Sequence, residues 1–202
     1  GNGAAEVIPV GEYDEALKLV RSIGRSICLL GGERKGYKIE GFDLGNSPLE
    51  YTGEKVGGKK VILCTTNGTK AIKAFAGAAD VLIGSYLNIN RIVECLLQNM
   101  MDTTLVCSGR EGKLSLEDLA CAGMIARSVS EAGAAELTDA AKAAVFTAKQ
   151  IRKGGLTKFV GETEHGRYLK KIGMEDDLKA CTALDSVPVL PRFQDGRIIL
   201  IG

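Results

Sequence analysis

The chain has 202 residues, of which 45% are hydrophobic and 25% are charged, and it contains no tryptophan. This composition is typical of a globular protein with a sizeable core, and it excludes a disordered chain, a collagen-like repeat and a disulfide-rich miniprotein. Twenty-six Lys and Arg residues against 25 Asp and Glu give a formal net charge of +1. Such a balance gives no indication of a nucleic-acid partner, and no apolar run approaches the ~18–20 residues that would span a membrane.

The six cysteines predict reduced thiols in a cytoplasmic protein. No C-x-x-C pair occurs, which argues against a structural zinc site. Cys28, Cys64 and Cys107 lie in apolar segments, where cysteine is typically a small buried hydrophobic residue.

Strand-like and helix-like segments alternate over the first 130 residues. Apolar runs predict strands at 7–10, 26–30, 60–65, 81–84 and 103–107, with the second strand ended by the Gly31-Gly32 pair. Helical spacing of apolar residues predicts helices at 13–22, 69–76, 89–100 and 116–129. The alternation predicts an α/β domain over 1–130, with a mostly parallel sheet and helices on both faces.

The pattern changes after residue 130. Helices are predicted at 138–151, 156–172 and 175–181, followed by strands at 187–190 and 197–201 around an Asp195-Gly196 turn. Pro188 and Pro191 favour an edge strand, because proline donates no backbone hydrogen bond. We expect residues 131–202 to form a helical part with a C-terminal hairpin, packed on the first part rather than independent.

A glycine-rich stretch at 33–58 is too long for an ordinary connection, which predicts an ordered functional segment. It begins with Glu33 and Arg34, which after a strand could supply a metal or base carboxylate beside an anion-binding guanidinium. A solvated charged turn is the alternative. Asp43, Asn46 and Ser47 add further polar groups in the same stretch.

A second polar segment, Thr65-Thr66-Asn67-Gly68-Thr69, lies between a predicted strand and a predicted helix. Backbone N–H groups and the helix dipole at such a junction can hold a phosphate. The alternative is that Asn67 or Thr69 simply caps the helix, and both roles are compatible.

A third segment, from Ser108 to Asp118, also connects a predicted strand to a predicted helix. Gly109 lets the backbone approach a ligand closely, and Arg110 can bind phosphate or sulfonate oxygens with two donors. Glu117 or Asp118 would then bind Mg²⁺, which prefers carboxylates and water. The alternative is a capping box formed by Ser115 and Asp118.

Several absences narrow the chemistry. The one histidine, His165, falls in a late helix where we expect it to be exposed, so a nucleophile activated by histidine is disfavoured. No G-x-G-x-x-G fingerprint follows a strand, which disfavours a dinucleotide-binding fold. The remaining carboxylates, arginines, amides and hydroxyls suit Mg²⁺-assisted phosphoryl transfer or hydrolysis.

Four motifs in order resemble the 2-phosphosulfolactate phosphatase family, which belongs to coenzyme M biosynthesis. They are Gly32-Glu33-Arg34, Gly41-Phe42-Asp43-Leu44-Gly45-Asn46-Ser47-Pro48, Thr65-Thr66-Asn67-Gly68-Thr69, and Ser115-Leu116-Glu117-Asp118 with Cys121-Ala122-Gly123. The resemblance covers essentially the whole chain. It implies a two-part α/β fold, a homodimer, and Mg²⁺-dependent hydrolysis of (R)-2-phospho-3-sulfolactate to 3-sulfolactate and phosphate.

Family members begin with a strand that carries an Asp and an Arg, followed by a helix that ends in Asn-Gly. This chain begins at Gly1-Asn2-Gly3, without Met, so we expect an N-terminal segment to be absent from the sequence.

The candidate site can now be assigned by role. We expect Asp118, Glu33 and Glu117 to be catalytic, with Asp118 and Glu33 as Mg²⁺ ligands. The substrate-binding candidates are polar or glycine residues of the three segments: Arg34, Asp43, Asn46, Ser47, Thr65, Thr66, Asn67, Gly68, Thr69, Ser108, Gly109 and Arg110. The expected partner is a small anionic phosphorylated substrate, with no nucleic acid and no membrane.

Three other functions stay open. One is a non-catalytic phosphate- or nucleotide-binding module, and another is a phosphatase for a different small anionic phosphomonoester. The third is a structural partner that assembles through the small residues Ala120, Gly123 and Ala126, although close helix packing explains that stripe more simply.

Overall fold

A computed structural model describes residues 1–152 and 155–201. These residues form two compact units: Gly1–Ile83 together with the C-terminal segment from Val189, and Gly84–Pro188. The boundaries do not coincide with the sequence-based division at residue 130. The reason is that the C-terminal hairpin joins the sheet of the first unit, whereas the helices on either side of residue 130 pack together within the second.

The first unit is built on one mixed sheet with the strand order β3-β2-β4-β1-β6-β5. Its strands are β1 (Glu6–Val10), β2 (Cys28–Arg34), β3 (Tyr37–Lys38), β4 (Lys60–Cys64), β5 (Leu190–Gln194) and β6 (Arg197–Ile201). The three central strands β2, β4 and β1 are parallel, whereas β3, β6 and β5 pair antiparallel. The α/β class and the C-terminal hairpin are therefore confirmed, and the parallel part of the sheet is its centre.

The Gly31-Gly32 pair does not end β2, contrary to the prediction. Gly31 pairs with Leu63 and Gly32 with Cys64 in the parallel ladder. Gly32 has a φ of +148°, and a Cβ there would lie closer than 3.0 Å to the carbonyl oxygen of Cys64. An L-residue at this position would collide with the neighbouring backbone, so the glycine allows β2 to pair with β4 as far as Gly32. Glu33 and Arg34 then pair with β3.

The two faces of the sheet are covered differently. On one face, Leu30 and Ile62 pack with Ala16 and Val20 of helix α1 (Tyr13–Ile23). On the other face, a smaller cluster joins Val61 to Leu44 and Val56, which come from the glycine-rich stretch. Alternate residues of β4 thus enter different clusters, as the two-residue period of a strand requires.

The glycine-rich stretch at 33–58 is ordered, as predicted. It contains β3, a short 3₁₀ helix at Pro48–Glu50 and the single-turn helix α2 (Gly53–Val56). The N–H of Gly32 donates to the carbonyls of Leu44 and Gly45 at 3.1 Å each. The Tyr51 hydroxyl donates to the Gly45 carbonyl at 2.7 Å. These bonds fix the stretch against the sheet.

The remaining helices begin with α3 (Gly68–Ala74), which belongs to the first unit. Those of the second unit are α4 (Ile89–Asn99), α5 (Leu116–Glu131), α6 (Asp139–Lys149), α7 (Leu156–Glu162), α8 (Glu164–Lys171) and α9 (Glu175–Cys181), with a 3₁₀ helix at Tyr86–Asn88. The predicted helix at 156–172 is interrupted at Thr163, which ends α7 and caps α8 by accepting the Gly166 N–H at 3.1 Å.

Two predicted strands are wrong, and a third is misplaced, because the strand predicted at 187–190 is β5 at Leu190–Gln194. Residues 81–84 form a single bridge between Leu82 and Arg192 rather than a continuous strand. Residues 103–107 form no strand. An apolar run becomes a strand only where a partner backbone lies alongside it, and the sequence pattern cannot supply that partner.

Close packing of α5 on α6 explains the stripe of small residues. A Cβ at Gly123 would lie closer than 3.0 Å to the carbonyl oxygen of Ala144. Ala120 and Ala126 on the same helix are buried. The stripe therefore serves helix packing within the second unit.

All six cysteines are free thiols. Cys28 and Cys64 are buried as predicted, whereas Cys107, which was predicted to be buried, is half-buried. Cys95 is also buried, Cys121 is half-buried and Cys181 is exposed. Among the described residues, no helix is both long enough and apolar enough to cross a membrane.

Candidate functional site

Three parallel strands of the first unit end at one edge of the sheet, where ligands bind in open α/β folds. β2 ends at Arg34, whose guanidinium is held by three neighbours. It donates to the carbonyl of Gly11 after β1 at 3.4 Å, to the Cys64 Sγ at the end of β4 at 3.3 Å, and to the Glu33 carbonyl at 3.1 Å. The cation is thus fixed where all three strands end.

The Glu33 carboxylate ties two loops together at the same edge. Oε1 accepts the Thr66 N–H at 2.8 Å and Oε2 accepts the Gly36 N–H at 2.8 Å. The residue is only 9% exposed. Both carboxylate oxygens are therefore engaged with backbone donors, which favours a positioning role for Glu33.

The turn between β4 and α3 uses its hydroxyls in different ways. The Thr65 Oγ1 accepts the Thr69 N–H at 3.2 Å, and the Thr69 hydroxyl donates to the Thr65 carbonyl at 3.1 Å. Asn67 occupies the N-cap position without a side-chain capping bond, and Gly68 begins the helix. The side chain of Thr65, rather than that of Asn67 or Thr69, thus accepts a backbone N–H of the first helical turn.

Thr66 stands apart from its neighbours in this turn. Its Oγ1 is buried, and no hydrogen-bond partner for it exists in the part of the chain that the structure describes. A buried hydroxyl without a partner is costly, so a ligand oxygen at this point would satisfy it.

Two of the predicted substrate-binding residues of the glycine-rich stretch, Asp43 and Ser47, accept backbone hydrogen bonds within the chain. Asp43 Oδ2 accepts the Leu30 N–H at 2.8 Å and pairs with Arg25 at 2.6 Å, which anchors the stretch to β2 before its end. The Ser47 Oγ accepts the Leu49 N–H at 3.3 Å and caps the 3₁₀ helix. Asn46 is exposed. A substrate contact for Asn46 or Ser47 stays a prediction.

In the second unit, Asp118 lies in the first turn of α5. Its Oδ2 accepts the Gly109 N–H at 2.8 Å and the Ser108 hydroxyl at 3.1 Å. Its N–H donates to the Ser115 Oγ at 3.3 Å, so the predicted serine cap is present. Oδ1 has no hydrogen-bond partner among the described residues, which leaves one carboxylate oxygen open to a cation or a water molecule.

Arg110 is held by residues more than fifty positions away. Its Nη1 lies 3.1 Å from the Glu164 Oε1, and its guanidinium carbon lies 5.2 Å from the centre of the Tyr168 ring. Together with Glu117 and His165, Arg110 lines a cleft of about 160 Å³. His165 is half-buried rather than exposed as predicted, because its ring stacks on Tyr168 at 6.3 Å.

Burial and nearby acids keep the thiols around Asp118 protonated. Burial, and secondarily the Asp118 charge, raises the pKa of the Cys121 thiol to about 12. The same two causes raise the pKa of Cys107. Neither thiol is therefore a thiolate nucleophile at neutral pH.

The donor sets fit magnesium better than zinc. No group of three His, Cys, Asp or Glu residues that could hold a metal occurs in residues 1–152 and 155–201. Mg²⁺ commonly keeps several waters and takes one or two carboxylates besides substrate phosphates. Asp118, with one oxygen fixed and the other open, suits such a site. Glu33 is less suited to binding Mg²⁺, because both of its carboxylate oxygens already accept backbone hydrogen bonds.

Several supporting residues could not be identified from the sequence alone. Gly11 and Cys64 hold Arg34, while Glu164 and Tyr168 hold Arg110. Gly11 and Cys64 lie at the ends of parallel strands, so they can be identified once the strand order is known. Glu164 and Tyr168 belong to α8, and nothing in the sequence indicates that α8 contacts Arg110.

Comparisons with known proteins agree with the four motifs. A family model described as 2-phosphosulpholactate phosphatase matches residues 1–196. The chain is 41% identical over 195 residues to a probable 2-phosphosulfolactate phosphatase of Caldanaerobacter subterraneus subsp. tengcongensis, covering 96% of this chain and 80% of the relative. Proteins with the same description are 41% identical in Clostridium acetobutylicum, covering 98% of this chain and 83% of the relative, and 40% identical in Clostridium perfringens strain 13, covering 98% and 80%. This chain therefore belongs to the 2-phosphosulpholactate phosphatase family of phosphoric monoester hydrolases.

Proposed function

We propose that the protein hydrolyses (R)-2-phospho-3-sulfolactate to 3-sulfolactate and phosphate in the presence of Mg²⁺. The names of its relatives support this substrate. The substrate carries phosphate, carboxylate and sulfonate groups, so its recognition requires fixed cations and few carboxylates.

The observation that carries the proposal is that Arg34 and Thr66 both lie at the edge of the sheet where the parallel strands end. The Arg34 guanidinium is held by the ends of all three parallel strands, and Glu33 fixes the Thr66 backbone at the same edge. A fixed cation and a buried hydroxyl without a partner together suit the oxygens of a bound anion. We assign Arg34 and Thr66 to binding an anionic group of the substrate, and Glu33 to positioning them.

Asp118 is the residue that we assign to Mg²⁺. Its Oδ2 is oriented by the Gly109 N–H and the Ser108 hydroxyl, which leaves Oδ1 to bind the ion. When bound, Mg²⁺ supplies positive charge that neutralises phosphoryl oxygens. Arg110 belongs to the same unit as Asp118, and we assign it to binding an anionic group.

In the hydrolysis, a water oxygen forms a bond to phosphorus and the bond from phosphorus to the ester oxygen breaks. One proton leaves the water and one proton ends on the ester oxygen. Glu117 lines the cleft beside Arg110, and we assign its carboxylate to accepting the proton of the water. The homodimer implied by the resemblance stays a prediction, and sedimentation equilibrium tests it. The cytoplasmic location predicted from the cysteines also stays a prediction.

Phosphate release by the Asp118→Asn variant tests the assignment. An asparagine oxygen can still accept the bonds from Gly109 and Ser108, so we expect an unchanged Tm but less than 1% of wild-type release. The matched control is Asp176→Asn, which changes another carboxylate in the first turn of a helix. Release by Asp118→Asn within threefold of wild type would refute the role of Asp118.

The substrate and the metal are tested separately with the wild-type protein. We expect release from (R)-2-phospho-3-sulfolactate with Mg²⁺ and none after chelation with EDTA. We expect kcat/KM to fall at least a hundredfold for 2-phospholactate, which lacks the sulfonate. Equal rates with the two substrates would refute the proposed specificity but leave the phosphatase activity standing.

A further inference from the structure

A second cavity lies in the helical unit, between α5 and α6. It has a volume of about 330 Å³, and Arg127, Glu131, Leu137, Lys142, Phe146 and Lys149 are among its lining residues. We call it the α5–α6 groove. Arg127 lies nine residues after Asp118 on the same helix, which is about 14 Å along the helix axis at 1.5 Å per residue. The groove is therefore separate from the residues assigned to phosphate chemistry.

Positive charge dominates the groove. Three cations, Arg127, Lys142 and Lys149, line it together with a single carboxylate, Glu131. The ion pair between Arg127 Nε and Glu131 Oε1 is long at 3.8 Å, and the Glu131 side chain is 69% exposed. Arg127 Nε is buried and has no hydrogen-bond partner in the described part of the chain. Lys142 pairs with Asp139 at 3.4 Å. Arg127 and Lys149 are therefore the cationic groups that the carboxylate of the groove does not satisfy.

Apolar side chains lie directly beside these cations. Phe146 is 68% exposed, and the half-buried Leu137 and the buried Val145 line the same groove. An aromatic ring exposed to this extent gains free energy when another apolar surface covers it. A ligand that fits both features carries an anionic group and an apolar ring.

The backbones of the two helices that form the groove are packed closely together. Gly123 brings the backbone of α5 against the carbonyl of Ala144 in α6, which fixes the two helices together. Thr138 caps α6 by accepting the Ala141 N–H at 3.3 Å, which fixes the chain next to Leu137. A groove formed in advance costs little conformational entropy when a ligand binds.

We propose that the α5–α6 groove binds a small aromatic anion with one sulfonate, carboxylate or phosphate group. Its volume lies at the lower end of the ~300–1,000 Å³ typical of small-molecule sites. The proposed substrate is not this ligand, because phosphosulfolactate has no apolar ring to cover Phe146. The site is therefore a second one, independent of the proposed reaction.

Titration of the full chain with the fluorescent aromatic sulfonate 8-anilinonaphthalene-1-sulfonate tests the proposal. We expect saturable binding of one dye molecule, competition by naphthalene-1-sulfonate, and no competition by methanesulfonate, which lacks a ring. The double substitution Arg127→Gln and Lys149→Gln should raise the Kd at least tenfold, and Phe146→Ser should do the same. The matched control replaces two exposed lysines of the same unit, Lys158→Gln and Lys179→Gln, and should leave the Kd within twofold of wild type.

Three results would overturn the proposal. The first is unsaturable dye fluorescence, or equal Kd values for wild type and the Arg127 and Lys149 variant at unchanged Tm. The second is displacement of the dye by 3-sulfolactate, which would place it at the phosphatase site. The third is an absence of dye binding together with a dimer, seen by sedimentation, that Phe146→Ser dissociates, since a second copy of the chain would then cover the groove.

Discussion

Replacement of Gly32 in β2 by alanine should destabilise the protein more than the same replacement at Gly41 in the glycine-rich stretch. Gly32 has a φ of +148°, and the added Cβ would lie closer than 3.0 Å to the carbonyl oxygen of Cys64. The obstacle is backbone inside a parallel ladder, so it cannot be relieved by rotating a side chain. Either β2 must separate from β4, or the peptide must rotate out of the ladder.

The magnitude follows from two costs. Holding an L-residue in a sparsely populated backbone region costs about 1–3 kcal/mol, and forcing a methyl group into a packed interior costs about 1–3 kcal/mol more. We therefore expect Gly32→Ala to lower the free energy of unfolding by about 4 kcal/mol. Gly41 is the matched control, because it has a φ of +78° and nothing within 4 Å of its added Cβ. Gly41→Ala should cost about 1–2 kcal/mol from backbone strain alone.

Urea unfolding followed by far-UV circular dichroism measures both values. Because m-values of small proteins are about 1–3 kcal/mol/M, a difference of 2–3 kcal/mol between the variants corresponds to roughly 1 M or more in the midpoint. The Gly32 variant should also lose phosphate release, since Glu33 and Arg34 follow directly. Equal midpoints for Gly32→Ala and Gly41→Ala would refute the close approach of β2 to the Cys64 carbonyl.

Three further predictions concern charged groups. Glu33→Gln replaces one acceptor oxygen with an amide donor that faces a backbone N–H. The free energy of unfolding should therefore fall by about 2 kcal/mol, and phosphate release should fall at least tenfold. Unchanged stability and activity would contradict the bonds to Glu33. The Lys60 hydrogen bond lowers the pKa of Glu6 below 4.5 and outweighs burial, so its stabilisation is complete above about pH 5 and is lost as the pH falls through the lowered value. Urea titrations should therefore show Glu6→Gln weaker than wild type by about 1 kcal/mol at pH 7, with the difference narrowing as the pH falls below 4.5. A difference that widens as the pH falls would exclude this linkage. Tyr168→Leu removes the ring beneath Arg110 and should raise KM several-fold with kcat little changed, whereas a fall in kcat alone would argue against a role of Arg110 in binding the substrate.

The sequence by itself determined the elements whose signal is local. The alternating apolar runs of β1 and β4 and the helical spacing of α4 and α5 lie close to the predicted ranges. The turn at Asp195 and Gly196, both with positive φ, joins β5 to β6 as predicted. These features depend on residues within one turn or one strand, so periodicity and turn chemistry suffice to indicate them.

Sheet pairing was decided by the tertiary structure. Gly31 and Gly32 are typical of a strand end in sequence, yet they continue β2 because β4 supplies partners for both. The run at 103–107 is apolar without a ladder, and β6 enters the sheet beside β1 from the other end of the chain. Strand formation requires hydrogen bonds to a distant backbone, and the pattern of one segment contains no information about that partner.

The candidate site divides in the same way. Arg34, Glu33 and Asp118 could be selected from the sequence because charged residues follow apolar runs at predicted strand ends or helix starts. Their roles depend on contacts across the fold: Cys64 lies thirty residues from Arg34, and the N–H of Thr66 lies thirty-three from Glu33. Residue type thus identifies which groups can bind an anion or a metal. Only the folded chain decides which of their oxygens and nitrogens are already engaged and which stay open to a ligand, because that depends on long-range hydrogen bonds.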